Sequence, residues 1–326
     1  MESSAVAKPL VSFVIPVFNS EQYIARCLRS IRNLCFPEAA YEVLIMDNGS
    51  TDRTHQLMRD LRFPFQVIPG VNVSILRNRG AALAQGDYVA FVDSDVELTP
   101  SWLQNGLDAF AEKHVVATGS FLEVPQDATW VQKTWSLHQR SRHLAGRVCP
   151  VAWLGSANLM VCRDDFLAVE GFNEHLETAE DVDLCYRLGQ RGIIFYNPGM
   201  RAVHWGEAPD IRTFWRKEVW RGLGNWQGVL SHGWRWDELP SLGYPLYIIC
   251  LGIIFVLSCS IDLWSRHIRL APLGLGLLIL PALLLTCHTA YLARCLRPIP
   301  KLFLLYLIYG VARAYTVLKN LVYKKI

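Results

Sequence analysis

Up to about residue 206 the chain alternates short apolar runs with stretches of helical spacing. "VSFVIPVF" (11–18) reads as a strand from its β-branched and aromatic content. "EQYIARCLRSI" (21–31) then puts Ile24, Leu28 and Ile31 on one helical face. The unit repeats: "YEVLIMD" (41–47) is a strand, and "TDRTHQLMRDL" (51–61) a helix that Ser50 or Thr51 is placed to cap. "FQVIPG" (65–70) reads as a short strand and "NRGAALAQ" (78–85) as a short helix. "YVAFVD" (88–93) is a strand, "PSWLQNGLDAFAEK" (100–113) a helix, and "IIFYNPGMRAVHW" (193–205) a last strand. Repeated strand–helix units imply an α/β domain: a mostly parallel, Rossmann-like central sheet with helices on both faces. Such sheets bind ligands at the C-terminal ends of their strands.

The pattern changes after Glu238, where charges become rare. Tyr244–Leu263 carries one charge, Asp262, and Leu270–Leu292 carries none. Each has the length to cross a bilayer core, predicting transmembrane helices at 244–263 and 270–292. A third run, 302–323, holds Arg313 and Lys319 and either spans or lies along the interface. Between the two regimes, residues 205–236 hold six tryptophans: Trp205, Trp215, Trp220, Trp226, Trp234 and Trp236. Arg212, Arg216, Lys217, Arg221 and Arg235 are interleaved with them, the composition of an interfacial collar, with packing against the large domain as the alternative. The predicted organisation is therefore an α/β domain over 1–206, a Trp-rich interfacial segment over 207–242, and a helical membrane region over 243–326. Arg294, Arg297 and Lys301 favour returning the chain to the cytoplasm after the second span, with the large domain cytoplasmic at the inner or plasma membrane. Arg266 and Arg269 in the first link fit that orientation less well.

Composition narrows the function. A net charge of +3 gives no reason to expect nucleic acid. Nine scattered cysteines contain no C-x-x-C pair, so neither a zinc site nor a disulfide framework is indicated. The first twenty residues lack a basic start and a long apolar stretch, and read as a strand rather than a signal peptide.

Three strands end in polar sets: Asn19, "DNGSTD" (47–52) and "DSD" (93–95). Aspartate is depleted in strands, so Asp93 and Asp95 are expected where the strand emerges. On an extended chain side chains two apart share a face, and two converging carboxylates call for a cation between them. Downstream, "TAEDVDLCYRL" (178–188) opens a helix with acids. Glu180 and Asp181 suit the positive helix end, and Asp183 suits an i,i+4 pair with Arg187.

"VSFVIPVFNSEQYIARCLRSI", "YEVLIMDNGSTDRT", "ILRNRGAALAQGDYVAFVDSDVEL" and "GFNEHLETAEDVDLCYRLGQRG" resemble, in order and spacing, the family 2 glycosyltransferases. The resemblance covers residues 10–206 and implies an inverting enzyme of GT-A fold that uses nucleotide-diphosphate sugars. It implies that Asp93 and Asp95 hold Mg2+ or Mn2+ against the diphosphate, with Asp93 also touching substrate and His204 either completing the metal site or serving as a hydrogen-bonded structural residue. Asp181 is implied as the base that takes the acceptor hydroxyl's proton, beside Glu180. Pro16 and Phe18 would lie against the base or ribose, and Asp47 and Asn48 would shape the base pocket. Family members often carry an acid where this chain has Asn48, which weakens any inference of uracil. Arg77 would either anchor the nucleotide or brace the loop through the carboxylates; Trp153 and Gly155 would border the donor sugar. "RKEVW" (216–220) stands where processive synthases of the family carry Q-x-x-R-W, which argues against processivity.

The expected protein is thus a membrane-anchored transferase acting on a hydroxyl acceptor, with membrane lipid around its helices and no nucleic acid. A lipid-linked saccharide of cell-surface polysaccharide or glycolipid synthesis is the economical acceptor. The alternatives are direct transfer to a polyprenyl phosphate and a non-catalytic membrane scaffold built on a degenerate domain of the same fold.

Overall fold

The computed structural model describes residues 8–141, 146–223, 239–265 and 269–323. The chain divides into two units: Met1–Gln126 with Ala145–Glu207, and Asp127–Leu144 with Ala208–Ile326.

The first unit opens with β1 (Val11–Val17), α1 (Ile24–Arg32), β2 (Tyr41–Asp47), α2 (Thr54–Asp60), β3 (Phe65–Val67), α3 (Val73–Leu83) and β4 (Tyr88–Val92). β5 (Val96–Leu98), α4 (Trp102–Ala109) and β6 (Val115–Gly119) follow. α5 (Trp130–Ser141) belongs to the second unit. The chain then returns as β7 (Cys149–Pro150), β8 (Asn158–Cys162), α6 (Arg163–Ala168), α7 (Glu180–Gly189), β9 (Ile193–Tyr196) and β10 (Ala202–His204). Eight strands form one sheet in the order β3-β2-β1-β4-β8-β6-β9-β7. Neighbours are parallel except β8, antiparallel to both β4 and β6, and the edge strand β7.

The period-two pattern sorts side chains between two cores. Phe13, Ile15, Ala90 and Val92 face α1 and Trp102, while Val14, Val89 and Phe91 face Phe166, Leu184 and Leu188. Pro16 has no N–H to give, and it lies past Val14↔Phe91, the last register pair between β1 and β4. The last predicted strand divides in two: β9 stays in the sheet, while β10 pairs antiparallel with β5, His204 opposite Val96. A turn at Asn197–Met200 separates them, with Met200 N–H donating to the Asn197 carbonyl (3.1 Å). Neither Ser50 nor Thr51 caps α2: the helix begins at Thr54, whose N–H donates to Asp52 (3.0 Å), and Ser50 is committed to Asp47. α3 starts at Val73, earlier than the "NRGAALAQ" run, because Asn72 caps it by accepting from the Ile75 N–H.

The second unit contains α5, α8 (Ile211–Arg221), α9 (Leu239–Trp264), α10 (Ala271–Leu292) and α11 (Ile299–Tyr323). Three of these helices are long and apolar enough to cross a membrane: Gly243–Trp264, Ala271–Leu292 and Ile299–Asn320. Val131, Trp135, Phe214, Ala282, Leu302, Leu305 and Tyr306 form its core. Glu218, 1% exposed, receives Arg221 on Oε1 (2.8 Å) and Arg313 on Oε2 (2.9 Å). Trp226, Trp234, Trp236 and Arg235, expected in the collar, lie outside the described residues, as do Arg266 and most of the 207–242 segment beyond Leu223.

Candidate active site

The carboxyl ends of β1, β2 and β4 converge, and their polar residues divide by role. Asp47 is fully buried and accepts from the Gly49 and Ser50 N–H groups (2.9 Å each), from Ser50 Oγ (2.5 Å) and from His55 Nε2 (2.8 Å). It organises the β2 turn and presents no oxygen outward. Asn48 spends both ends of its amide on Val71, donating to the carbonyl (2.8 Å) and accepting from the N–H (3.1 Å). The two residues expected to shape a base pocket thus spend these polar groups on the turn after β2 and on Val71. Of the β1 pair, Pro16 is buried in the strand and Phe18, just past its end, is 57% exposed.

The "DSD" segment is a turn rather than an extended strand: Val96 N–H donates to the Asp93 carbonyl (3.0 Å). The shared-face argument fails for that reason, and the two carboxylates have separate partners. Asp93 Oδ1 accepts from Arg77 Nη2 (2.8 Å), and Asp95 Oδ2 accepts from His204 Nε2 (3.0 Å). Both aspartates remain partly open, at 31% and 24% side-chain exposure. Gly206 permits the second contact, because a Cβ there would stand 1.8 Å from Asp95 Oδ2. No pattern in the sequence singles out Gly206.

Arg77, 3% exposed on α3, joins the two halves of the site. Its Nη1 donates to Glu180 Oε1 (2.8 Å) while Nη2 holds Asp93, and the Phe172 ring lies 5.3 Å away. Its neighbour Asn78 pairs with the Phe172 backbone, donating to the carbonyl and accepting from the N–H (2.8 Å each). Of the two roles open to Arg77, the geometry is that of a brace.

Glu180 and Asp181 stand in the first turn of α7, where the helix end favours negative charge. Burial and the adjacent Glu180 push the Asp181 carboxyl up to about 7, against the pull of Arg77. Asp181 Oδ1 accepts from the Val182 N–H (2.9 Å), and Oδ2 faces Gly155, where a Cβ would sit 3.7 Å away. Trp153, half-buried, packs against the β4 face of the core beside this segment. Asp183 pairs with Arg187 (2.6 Å), as its spacing predicts.

Asp93 and Asp95 offer the hard oxygen donors that Mg2+ or Mn2+ prefers, and such cations take one or two carboxylates plus substrate phosphates. Among the described residues no group of three or more His, Cys, Asp or Glu is arranged to hold a metal by itself. His204 stands between two acids. Burial lowers its proton affinity, but Asp95 and Glu207 outweigh this and raise it to about 10. Its ring nitrogens lie 3.0 Å from Asp95 Oδ2 and 3.3 Å from Glu207 Oε1, a setting that suits both the structural role and a place beside a cation. Trp205 is no membrane collar residue: it donates to Glu97 (2.7 Å) and lies under the Arg26 guanidinium (3.4 Å).

Comparison with known proteins bears on the family and the fold. The glycosyl transferase family 2 model matches residues 12–165. Validoxylamine A glucosyltransferase of Streptomyces hygroscopicus is 28% identical over 242 residues, covering 63% of this chain and 53% of that protein. Glycosyltransferase AglE of Haloferax volcanii is 28% identical over 199 residues, covering 56% of this chain and 62% of that protein. The chain thus spans between half and two thirds of the length of these relatives. Among solved structures, the mannosyltransferase PcManGT from Pyrobaculum calidifontis, in complex with GDP-Man and Mn2+, superposes with a TM-score of 0.69 at 15% identity. That superposition covers 98% of this chain and 88% of the other. Staphylococcus aureus TarS 1-349, in complex with UDP-GlcNAc, gives 0.50 at 16% identity, covering 95% and 91%. Residues 12–165 are a glycosyl transferase family 2 domain, and the first unit has the GT-A fold.

Proposed function

We propose that the protein is a membrane-anchored, inverting glycosyltransferase that moves a sugar from a nucleotide-diphosphate sugar to a hydroxyl acceptor. The observation that carries this reading is the Arg77 brace, which sets Asp93 and Glu180 at 2.8 Å from one guanidinium and so brings "DSD" beside "ED". Asp181 is the general base. A carboxyl with its proton affinity near neutrality accepts a hydroxyl proton more readily than an ordinary aspartate does. Asp93 and Asp95 would hold Mg2+ or Mn2+, which supplies charge neutralisation to the departing diphosphate. Arg77 keeps Asp93 in place and lowers the repulsion between the two carboxylate sets. Gly155, with no side chain, stands beside Asp181 Oδ2, where a Cβ would sit 3.7 Å away. A base on one side of the sugar and the diphosphate on the other give inversion.

Structural neighbours in complex with GDP-Man and with UDP-GlcNAc support a nucleotide-sugar donor and leave the base open, as does the commitment of Asn48 to Val71. Apolar helices in the same chain support an acceptor held at the membrane, with a lipid-linked saccharide as the acceptor class and the transferase domain on the cytoplasmic face. The test is nucleotide release by purified protein from UDP-, GDP- and dTDP-sugars with Mn2+, with Mg2+ and with EDTA. The expected result is metal-dependent release from one donor, abolished in Asp93→Ala and lowered 10²–10⁴-fold in Asp181→Asn. A protein that binds no nucleotide in the presence of either metal would overturn the reading. Undiminished transfer by a folded Asp181→Asn would favour an acceptor that is already an anion, such as a polyprenyl phosphate.

A further inference from the structure

Of the three apolar helices, α11 stands apart. Half of its Ile299–Asn320 window is buried within the second unit, against 11% for α9 and 28% for α10. Much of what covers it is polar helix. On α5, Trp135 lies 5.6 Å from the Tyr306 ring and 5.7 Å from Tyr309, and His138 Nδ1 is 2.7 Å from the Tyr306 hydroxyl. On α8, Trp215 lies 6.0 Å from Tyr315, Glu218 receives Arg313, and the Val219 carbonyl accepts from Thr316 Oγ1 (2.9 Å). The side of α11 that carries Tyr306, Tyr309, Arg313 and Thr316 therefore runs along α5 and α8, with Tyr315 at its margin. Those helices expose Lys133, Arg212 and Arg216. A helix placing such charges at the bilayer centre costs about 2.5–3.5 kcal/mol for each. Neither α5 nor α8 can follow α11 into hydrocarbon, and α11 cannot enter without leaving them.

The exposed face of α11 fits the same conclusion. Its large exposed apolar residues are Leu304, Val311, Tyr315 and Leu318. At 3.6 residues per turn these fall within an arc of about 60°, with Arg313 on the opposite side. Lys301 and Lys319, both exposed, lie on one edge of this stripe about 27 Å apart along the helix. A narrow apolar stripe edged by lysines is the signature of a helix lying in the interface plane. α9 and α10 differ: Ile253, Val256, Leu257, Leu273 and Leu284 are all more than 45% exposed.

We propose that α11 does not cross the membrane but lies in the headgroup layer. Its Leu304–Leu318 stripe enters the acyl boundary and α5 and α8 form its aqueous side. Only the α9–α10 hairpin enters the hydrocarbon, and the two ends of α11 stay on one face of the bilayer. The inference rests on the membrane anchoring proposed above and is independent of the chemistry.

The unmodified protein tests it. A membrane-impermeant amine reagent is applied to sealed vesicles of each orientation, and modified lysines are located by mass spectrometry. Lys133, Lys301 and Lys319 are expected to react in the same vesicle orientation. Lys319 reacting only in the orientation opposite to Lys133, or only after detergent, would overturn the proposal and make α11 a third span. Protein that does not sediment with vesicles would instead remove the anchoring itself.

Discussion

Each unit buries an ion-pair cluster of arginine and carboxylate, and the two arrangements differ in what they leave over. In the first, Arg77 serves two carboxylates, Asp93 and Glu180, with Asp181 next in sequence. In the second, Glu218 serves two guanidiniums, Arg221 and Arg313. One arginine spread over several acids leaves negative charge at a partly open strand end, which a cation and a proton can answer. One acid shared by two arginines, 1% exposed between packed helices, can only hold those helices together. The same ion-pair chemistry thus builds the proposed active site in one place and a clasp in the other, according to stoichiometry and exposure.

Substitutions can break or sharpen that contrast. Arg77→Met should be the most damaging, because it strands two carboxylates beside a third; removing one partner of a buried pair costs about 3–5 kcal/mol. Thermal unfolding measures the loss. The ascending limb of the pH–rate profile should also move to higher pH, since Arg77 opposes the rise in Asp181 proton affinity.

Asp181 itself gives the next effect. Transfer should require its ionised form, so kcat/KM should fall about tenfold per unit below a limb near pH 7. The linkage to stability has the opposite sense. Because burial and Glu180 raise this carboxyl in the folded state, the stability it contributes is full below about pH 4 and lost as pH rises through 7. Asp181→Asn should therefore melt higher than the parent protein above pH 7 and equal to it near pH 4.

Arg313→Met should cost less than Arg77→Met, about 1.5–3 kcal/mol, because Glu218 keeps Arg221. Joined to Glu218→Gln, it should recover much of that loss in a double-mutant cycle. A cost greater than that of Arg77→Met would break the comparison. Gly206→Ala should displace Asp95 at about 1–3 kcal/mol and raise the Mn2+ concentration needed for half-maximal turnover. Trp220→Ala, at an exposed position, should stay within about 0.5 kcal/mol.

The period-two runs and the helical spacings made the sheet and most of its helices legible, because burial on two faces leaves a direct trace in the sequence. The antiparallel insertion of β8 did not show, since a buried strand of "NLMVC" reads alike in either direction. Membership of α5 in the second unit was equally hidden; its core residues Val131 and Trp135 meet partners more than seventy positions away. At the site, Asp93, Asp95, Glu180 and Asp181 stood out as acids at element ends. What spacing could not tell was which aspartate is engaged internally. Asp47 and Asp93 stand alike at the ends of the two strands that flank β1, yet one is enclosed by Gly49, Ser50 and His55 and the other is held by Arg77. Three-dimensional partners decide that, and Arg77 lies sixteen residues from Asp93 and one hundred and three from Glu180.

The β5–β10 ribbon has one more consequence. The residue after β10 holds one end of the "DSD" turn, the Trp205 N–H donating to the Asp95 carbonyl (2.9 Å), and the residue before β8 holds the other, the Asp93 N–H donating to the Ala157 carbonyl (3.3 Å). The backbone that carries both carboxylates is therefore already still before any cation arrives. Ion capture there should leave amide exchange at Val96 and His204 unchanged, and its entropy should reflect released water rather than an ordered loop.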